Sequence, residues 1–164
     1  MPLLFALAVS IGALGVVATW LFLGPIASTN AQIWQAFLAW ACFYHCGGKL
    51  DGAQKTATGM VFGAGVGAAS VLLAAQLGVL GGFAAPLAVG VGAAVIVLAA
   101  HLGLLATIPV SVYGFAAIAG LILLKGVAPI DALLPTVISI VVGVIFGWAS
   151  ELLGGKLSRP VIPA

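Results

Sequence analysis

The chain has 164 residues, 64% of them hydrophobic and 5% charged, with a mean hydropathy of +1.36; soluble domains carry about a quarter charged residues, so a soluble fold is excluded. The net charge of +2 is small and scattered, which excludes a nucleic-acid partner, because phosphate binding needs clustered Lys and Arg. The composition predicts an all-α integral membrane protein with one membrane domain over residues 1–164, in contact with the lipid bilayer.

Six apolar runs with few charges follow in chain order: Leu3 to Leu23, Ala31 to Gly47, Thr56 to Leu77, Val79 to Ala100, Gly103 to Leu124 and Ala132 to Leu153. Each has about the length of a transmembrane helix, and none shows the alternating polarity of a barrel strand. The first run reads as a span and not as a secretory signal. No Lys or Arg precedes it, and no clear small-residue cleavage pattern follows it.

Lys49 and Lys55 fall between runs two and three, Lys125 between five and six, and Lys156 and Arg159 after six. Six crossings put four of these five cations on one side. Positive loops stay in the cytoplasm, so both termini are expected there, including a short tail over 156–164.

Shifting the chain by 80 residues aligns Leu7, Ala8, Val9, Gly12, Ala13 and Val17 with Leu87, Ala88, Val89, Gly92, Ala93 and Val97. The same ungapped shift aligns Ala36 and Ala39 with Ala116 and Ala119. It also aligns Asp51, Thr56, Val61, Gly63, Gly67, Ala69 and Ser70 with Asp131, Thr136, Val141, Gly143, Gly147, Ala149 and Ser150. Two three-helix repeats are therefore expected, about 3–78 and 79–155. An odd number of spans per repeat requires the second to be inverted in the membrane.

Gly59, Gly63 and Gly67 on helix three, and Gly143 and Gly147 on helix six, recur every four residues and leave helix faces almost without side chains. Such faces pack helices closely in lipid, here as a tight crossing of helices three and six; the alternative is that they line a narrow solute path. Gly12, Gly15, Gly90 and Gly92 give helices one and four similar surfaces, from which a homo-oligomer is expected.

Helices two and five are the polar ones. Helix two carries Gln32, Trp34, Gln35, Trp40, Tyr44 and His45, and helix five carries Thr107, Pro109, Ser111, Tyr113 and Gly114. Pro109 removes a backbone donor and can interrupt its helix, and interrupted segments at matching places in two repeats point to a midplane binding site. On that reading Trp34, Gln35, Trp40, His45, Pro109, Ser111 and Tyr113 line a substrate pathway. The plainer reading is a proline kink and an interfacial aromatic belt.

Cys42, His45 and Cys46 share a helix face but supply three ligands where a closed zinc site needs four, so neither a metal nor another cofactor is expected. Three acidic residues and two histidines build no catalytic set, and an enzyme is not expected. Trp34-Gln35-Ala36-Phe37-Leu38-Ala39-Trp40-Ala41, the following Gly47-Gly48, and Ile108-Pro109 through Tyr113-Gly114-Phe115-Ala116 resemble the YcdZ-like family of small bacterial inner-membrane proteins. The resemblance implies a bacterial plasma-membrane location and supplies no activity. Two functions remain open: a channel or transporter for neutral or weakly polar small solutes, and a non-transporting scaffold that packs against a partner.

Overall fold

A computed structural model describes residues 1–158; Arg159 and the rest of the tail lie outside the described residues. Among the described residues there are six α-helices, α1 (Leu3–Leu23), α2 (Ile33–His45), α3 (Lys49–Gln76), α4 (Ala84–Ala99), α5 (Ile108–Lys125) and α6 (Leu133–Leu157), and no strand. Five have the length and hydropathy to cross a bilayer, α4 together with the 3-10 turn that precedes it. The protein is thus a multi-pass membrane protein.

The exception is α2, whose 13 residues reach only about 20 Å along the helix axis, against a hydrocarbon core of about 30 Å. The chain before it, from Gly24 to Gln32, makes one 3-10 turn and a left-handed step at Asn30. Gly103–Leu105 forms a comparable 3-10 turn before α5.

Several sequence-based boundaries move. The third helix begins at Lys49, a full two turns before Thr56, because Gly47, Gly48 and Lys49 all adopt positive φ and reverse the chain there. The fifth begins at Ile108 and not at Gly103. Pro109 therefore lies in the first turn of α5, where its missing N–H has no helical partner to lose, and it interrupts nothing. The irregular backbone precedes α2 and α5 and does not break either of them.

Direction follows from side-chain pairing. Gln32 meets Ser139 and Tyr44 meets Ser150, so α2 and α6 run the same way. Gly59 lies against Val110 and Gly67 against Ile118, so α3 and α5 also run together. Leu7 packs on Gly154 near the end of α6, and Lys49 at the start of α3 is hydrogen-bonded to Glu151. The start of α1, the α2–α3 turn and the end of α6 therefore share one face of the bundle, with Lys49, Lys55 and Lys156. Lys125 ends α5 at the opposite face.

The main packing partners are α3 with α5 and α4, and α6 with α2 and α1; α3 and α6 also touch. This pattern is unchanged when α1 and α4, α2 and α5, and α3 and α6 exchange places. At its centre the fully buried Met60 of α3 and Ile140 of α6 meet Ala39, Cys42 and Val110.

Candidate functional site

Where helices must approach in lipid, their small residues set how closely. Any side chain at Gly63 would run into the backbone of Ser111, and any at Gly114 into the backbone of Met60, so α3 and α5 touch main chain to main chain. Gly143 is closed in the same way by the backbone of Ala36, and Gly147 by the ring of Phe43. The glycine faces of α3 and α6 thus receive α5 and α2 and do not face one another. Close contact rewards this pairing because lipid offers no hydrophobic drive between helices.

The glycine contacts recur at two spacings. Gly63 and Gly143 are 80 residues apart, but their partners Ser111 and Ala36 are 75 apart, as are Ile118 and Phe43 on Gly67 and Gly147. By contact Ala36 thus corresponds to Ser111, whereas the 80-residue shift pairs it with Ala116. At the contact spacing Val110 corresponds to Gln35, Phe115 to Trp40 and Ala119 to Tyr44.

The two equivalent seams have opposite chemistry. Along α2 and α6, the Gln32 N–H donates to Ser139 Oγ (2.9 Å), which donates in turn to the Pro135 carbonyl. One turn on, Gln35 Nε2 donates to the Ala117 carbonyl of α5 (2.9 Å) and to Thr136 Oγ1 of α6 (3.1 Å). At the far end Trp40 Nε1 donates to Ser150 Oγ (2.9 Å), and the Tyr44 hydroxyl lies 2.8 Å from the same atom. The single Ser150 hydrogen goes to the Gly147 carbonyl, so Tyr44 must donate as well. Between the two polar ends lies a waist of Ala36, Ala39, Gly143 and Gly147.

Along α3 and α5 the corresponding positions carry Val110, Phe115 and Ala119, and Ser70 turns back onto its own helix at the Val66 carbonyl. Among the described residues, three fully buried side-chain polar atoms have no hydrogen-bond partner: Gln35 Oε1, Thr56 Oγ1 and Ser111 Oγ. They belong to α2, α3 and α5.

The seven pathway positions divide accordingly. Trp34 packs against Gly120 and the apolar cluster of Ile118 and Leu121. Gln35 and Trp40 are buried in the α2–α6 seam and Ser111 in the α3–α5 seam. His45 is exposed and meets Tyr113 edge to face, with ring centroids 6.0 Å apart. Pro109 is exposed. The structure therefore brings His45 and Tyr113 together, while Gln35 and Ser111 lie in different seams.

Thr56, Thr136, Ser139 and Ser150 were not among the sequence-derived site residues, although three of them were visible in the 80-residue alignment: Thr56 with Thr136, and Ser150 with Ser70. Gly92 also changes role. It is closed by Ser70 and Phe115 of its own chain, whereas Gly12 and Gly15 face open space. They border a shallow apolar groove of about 640 Å³ on α1, lined further by Val16, Thr19, Trp20 and Phe37.

Residues 8–155 match the family described as "Protein of unknown function (DUF1097)". The chain belongs to the DUF1097 family. No curated protein and no solved structure matches it. Family membership thus covers nearly the whole bundle, both seams included, and assigns no role to either.

Proposed function

We propose that this DUF1097 protein is a small-solute channel or transporter of the bacterial inner membrane, built from two inverted three-helix repeats with both termini cytoplasmic. The unchanged packing pattern on exchanging α1–α3 with α4–α6 supports the repeat, since an odd number of crossings inverts the second copy. The clustering of Lys49, Lys55 and Lys156 on one face supports the orientation. The resemblance to YcdZ-like proteins supports the bacterial membrane.

The observation that carries the transport reading is the hydrogen-bonding capacity left over at the centre. Gln35 Oε1, Thr56 Oγ1 and Ser111 Oγ are buried without partners, and polar groups at such depth are costly unless they serve a function. Gln32, Gln35 and Trp40, bonded to Ser139, Thr136 and Ser150 of α6, make the α2–α6 seam the more polar of the two. The solute is neutral or weakly polar, because Asp51 and Asp131 lie at helix ends and Glu151, the one acid of the three near the seam, sits at its lysine-bearing end and is bound by the Lys49 N–H. Flux into proteoliposomes of small amides, alcohols and ions tests this. Flux of a neutral solute above that in empty vesicles supports it, and none for the whole panel refutes it.

A scaffold is the second reading. It is favoured by the sealing of Gln35 and Ser111, 0% and 1% exposed, and by the open Gly12 and Gly15 face of α1, which fits a second copy of the chain. Cysteines at Gln35 and Ser111 that stay unreactive to water-soluble thiol reagents in native membranes favour the scaffold; reactive ones favour transport.

A further inference from the structure

We propose that Trp40, Tyr44, Ser150 and Glu151 form a gate at the lysine-bearing end of the α2–α6 seam, shut in this structure by hydrogen bonds. This place in the mechanism rests on the transport reading above. The latch itself rests on geometry.

Here the last turns of α6 are hydrogen-bonded to three other helices. Ser10 of α1 lies 3.0 Å from the Ser150 carbonyl, Trp40 and Tyr44 of α2 meet Ser150 Oγ, and the Lys49 N–H of α3 donates to Glu151 Oε2 at 2.8 Å. The last bond needs an unusual backbone. Gly48 and Lys49 have φ of 68° and 58°, and a Cβ at Gly48 would lie 2.6 Å from Glu151 Oε1. A non-glycine residue such as Lys49 adopts this region only where its surroundings hold it there. The α2–α3 turn is thus clamped onto the Glu151 carboxylate.

The repeat shows that the fold does not require this latch. At the equivalent end of the other half, Ser70 and Val71 stand for Ser150 and Glu151, and Phe115 and Ala119 for Trp40 and Tyr44. That end closes by apolar packing and backbone contact alone. The hydrogen bonds of the latch can break and re-form at this end while the main-chain contact of Gly143 with Ala36, farther along the same seam, stays closed. Buried Cys42 of α2 packs in one cluster with Met60 of α3 and Ile140 of α6, so parting α2 from α6 uncovers it.

Cys42 makes the gate measurable, since the chain has only two cysteines. In a Cys46→Ser background, with the protein in lipid nanodiscs, Cys42 is 1% exposed and should react slowly with N-ethylmaleimide. Ser150→Ala is expected to raise that rate at least ~10-fold by removing the acceptor of two donors. Trp40→Phe keeps the ring, removes one donor and should raise it ~3-fold or more. Ser70→Ala, the counterpart in the other half, should leave it unchanged. Equal rates in all variants overturn the gate, and so does an equal rise in Ser70→Ala, which would mean general loosening. The readout needs no solute, so absent flux and an absent latch are separate results.

Discussion

Thr56 of α3 and Thr136 of α6 stand 80 residues apart and are both fully buried, yet Gln35 Nε2 donates to Thr136 Oγ1 while Thr56 Oγ1 has no hydrogen-bond partner. The α2–α6 seam carries an amide that the α3–α5 seam lacks. The difference gives a paired prediction. Thr136→Val should cost about 0.6–1.7 kcal/mol, the range of membrane hydrogen bonds, because it strands a Gln35 donor. Thr56→Val should be neutral or stabilising. Thermal unfolding of both variants in one detergent decides, and equal losses would contradict the assignment.

Backbone contact at Gly63 should tolerate no methyl group. Gly63→Ala and Gly114→Ala each push against main chain and should destabilise by about 1–3 kcal/mol, the usual cost of overpacking. Gly65→Ala, two residues away and facing open space, should leave the unfolding midpoint within error or raise it slightly.

Trp40 and Ser150 should be energetically coupled. A double-mutant cycle of Trp40→Phe and Ser150→Ala should return a coupling of about 0.6–1.7 kcal/mol. The control cycle of Phe115→Leu and Ser70→Ala should return none, because Ser70 bonds within its own helix. Coupling in both cycles would show that general packing, and not the indole hydrogen bond, is being measured.

Orientation has a direct check. A reporter active only in the cytoplasm should work when fused after Leu157 and fail when inserted after Lys125. Activity at both places, or at neither, contradicts the six-crossing arrangement with its short α2.

A second copy on α1 predicts that Gly15→Leu lowers the mass of the particle in mild detergent without lowering its unfolding midpoint, since a Cβ at that position would meet no atom of another helix within 4 Å. Unchanged mass excludes this face as the contact.

Composition, at 64% hydrophobic and 5% charged residues, together with the absence of alternating polarity, determined that this chain spans a membrane as helices, because only helices and closed barrels satisfy the backbone in lipid. Apolar runs located every helix, and α1 to the residue, because hydropathy is local. The glycines at 59, 63, 67, 143 and 147 were legible as packing faces for the same reason. Their partners were not, since a face without side chains carries no mark of which helix meets it; only the tertiary structure assigned α5 to α3 and α2 to α6. The 80-residue shift pairs Ala36 with Ala116 by residue type, whereas the contacts on Gly143 and Gly63 pair Ala36 with Ser111, a spacing that sequence alone does not mark. Gln35, Ser111 and Pro109 looked alike in sequence as polar or helix-breaking residues within apolar runs. Packing separated them into a bridged amide, a sealed hydroxyl and a first-turn proline, because each outcome depends on a neighbour from another helix.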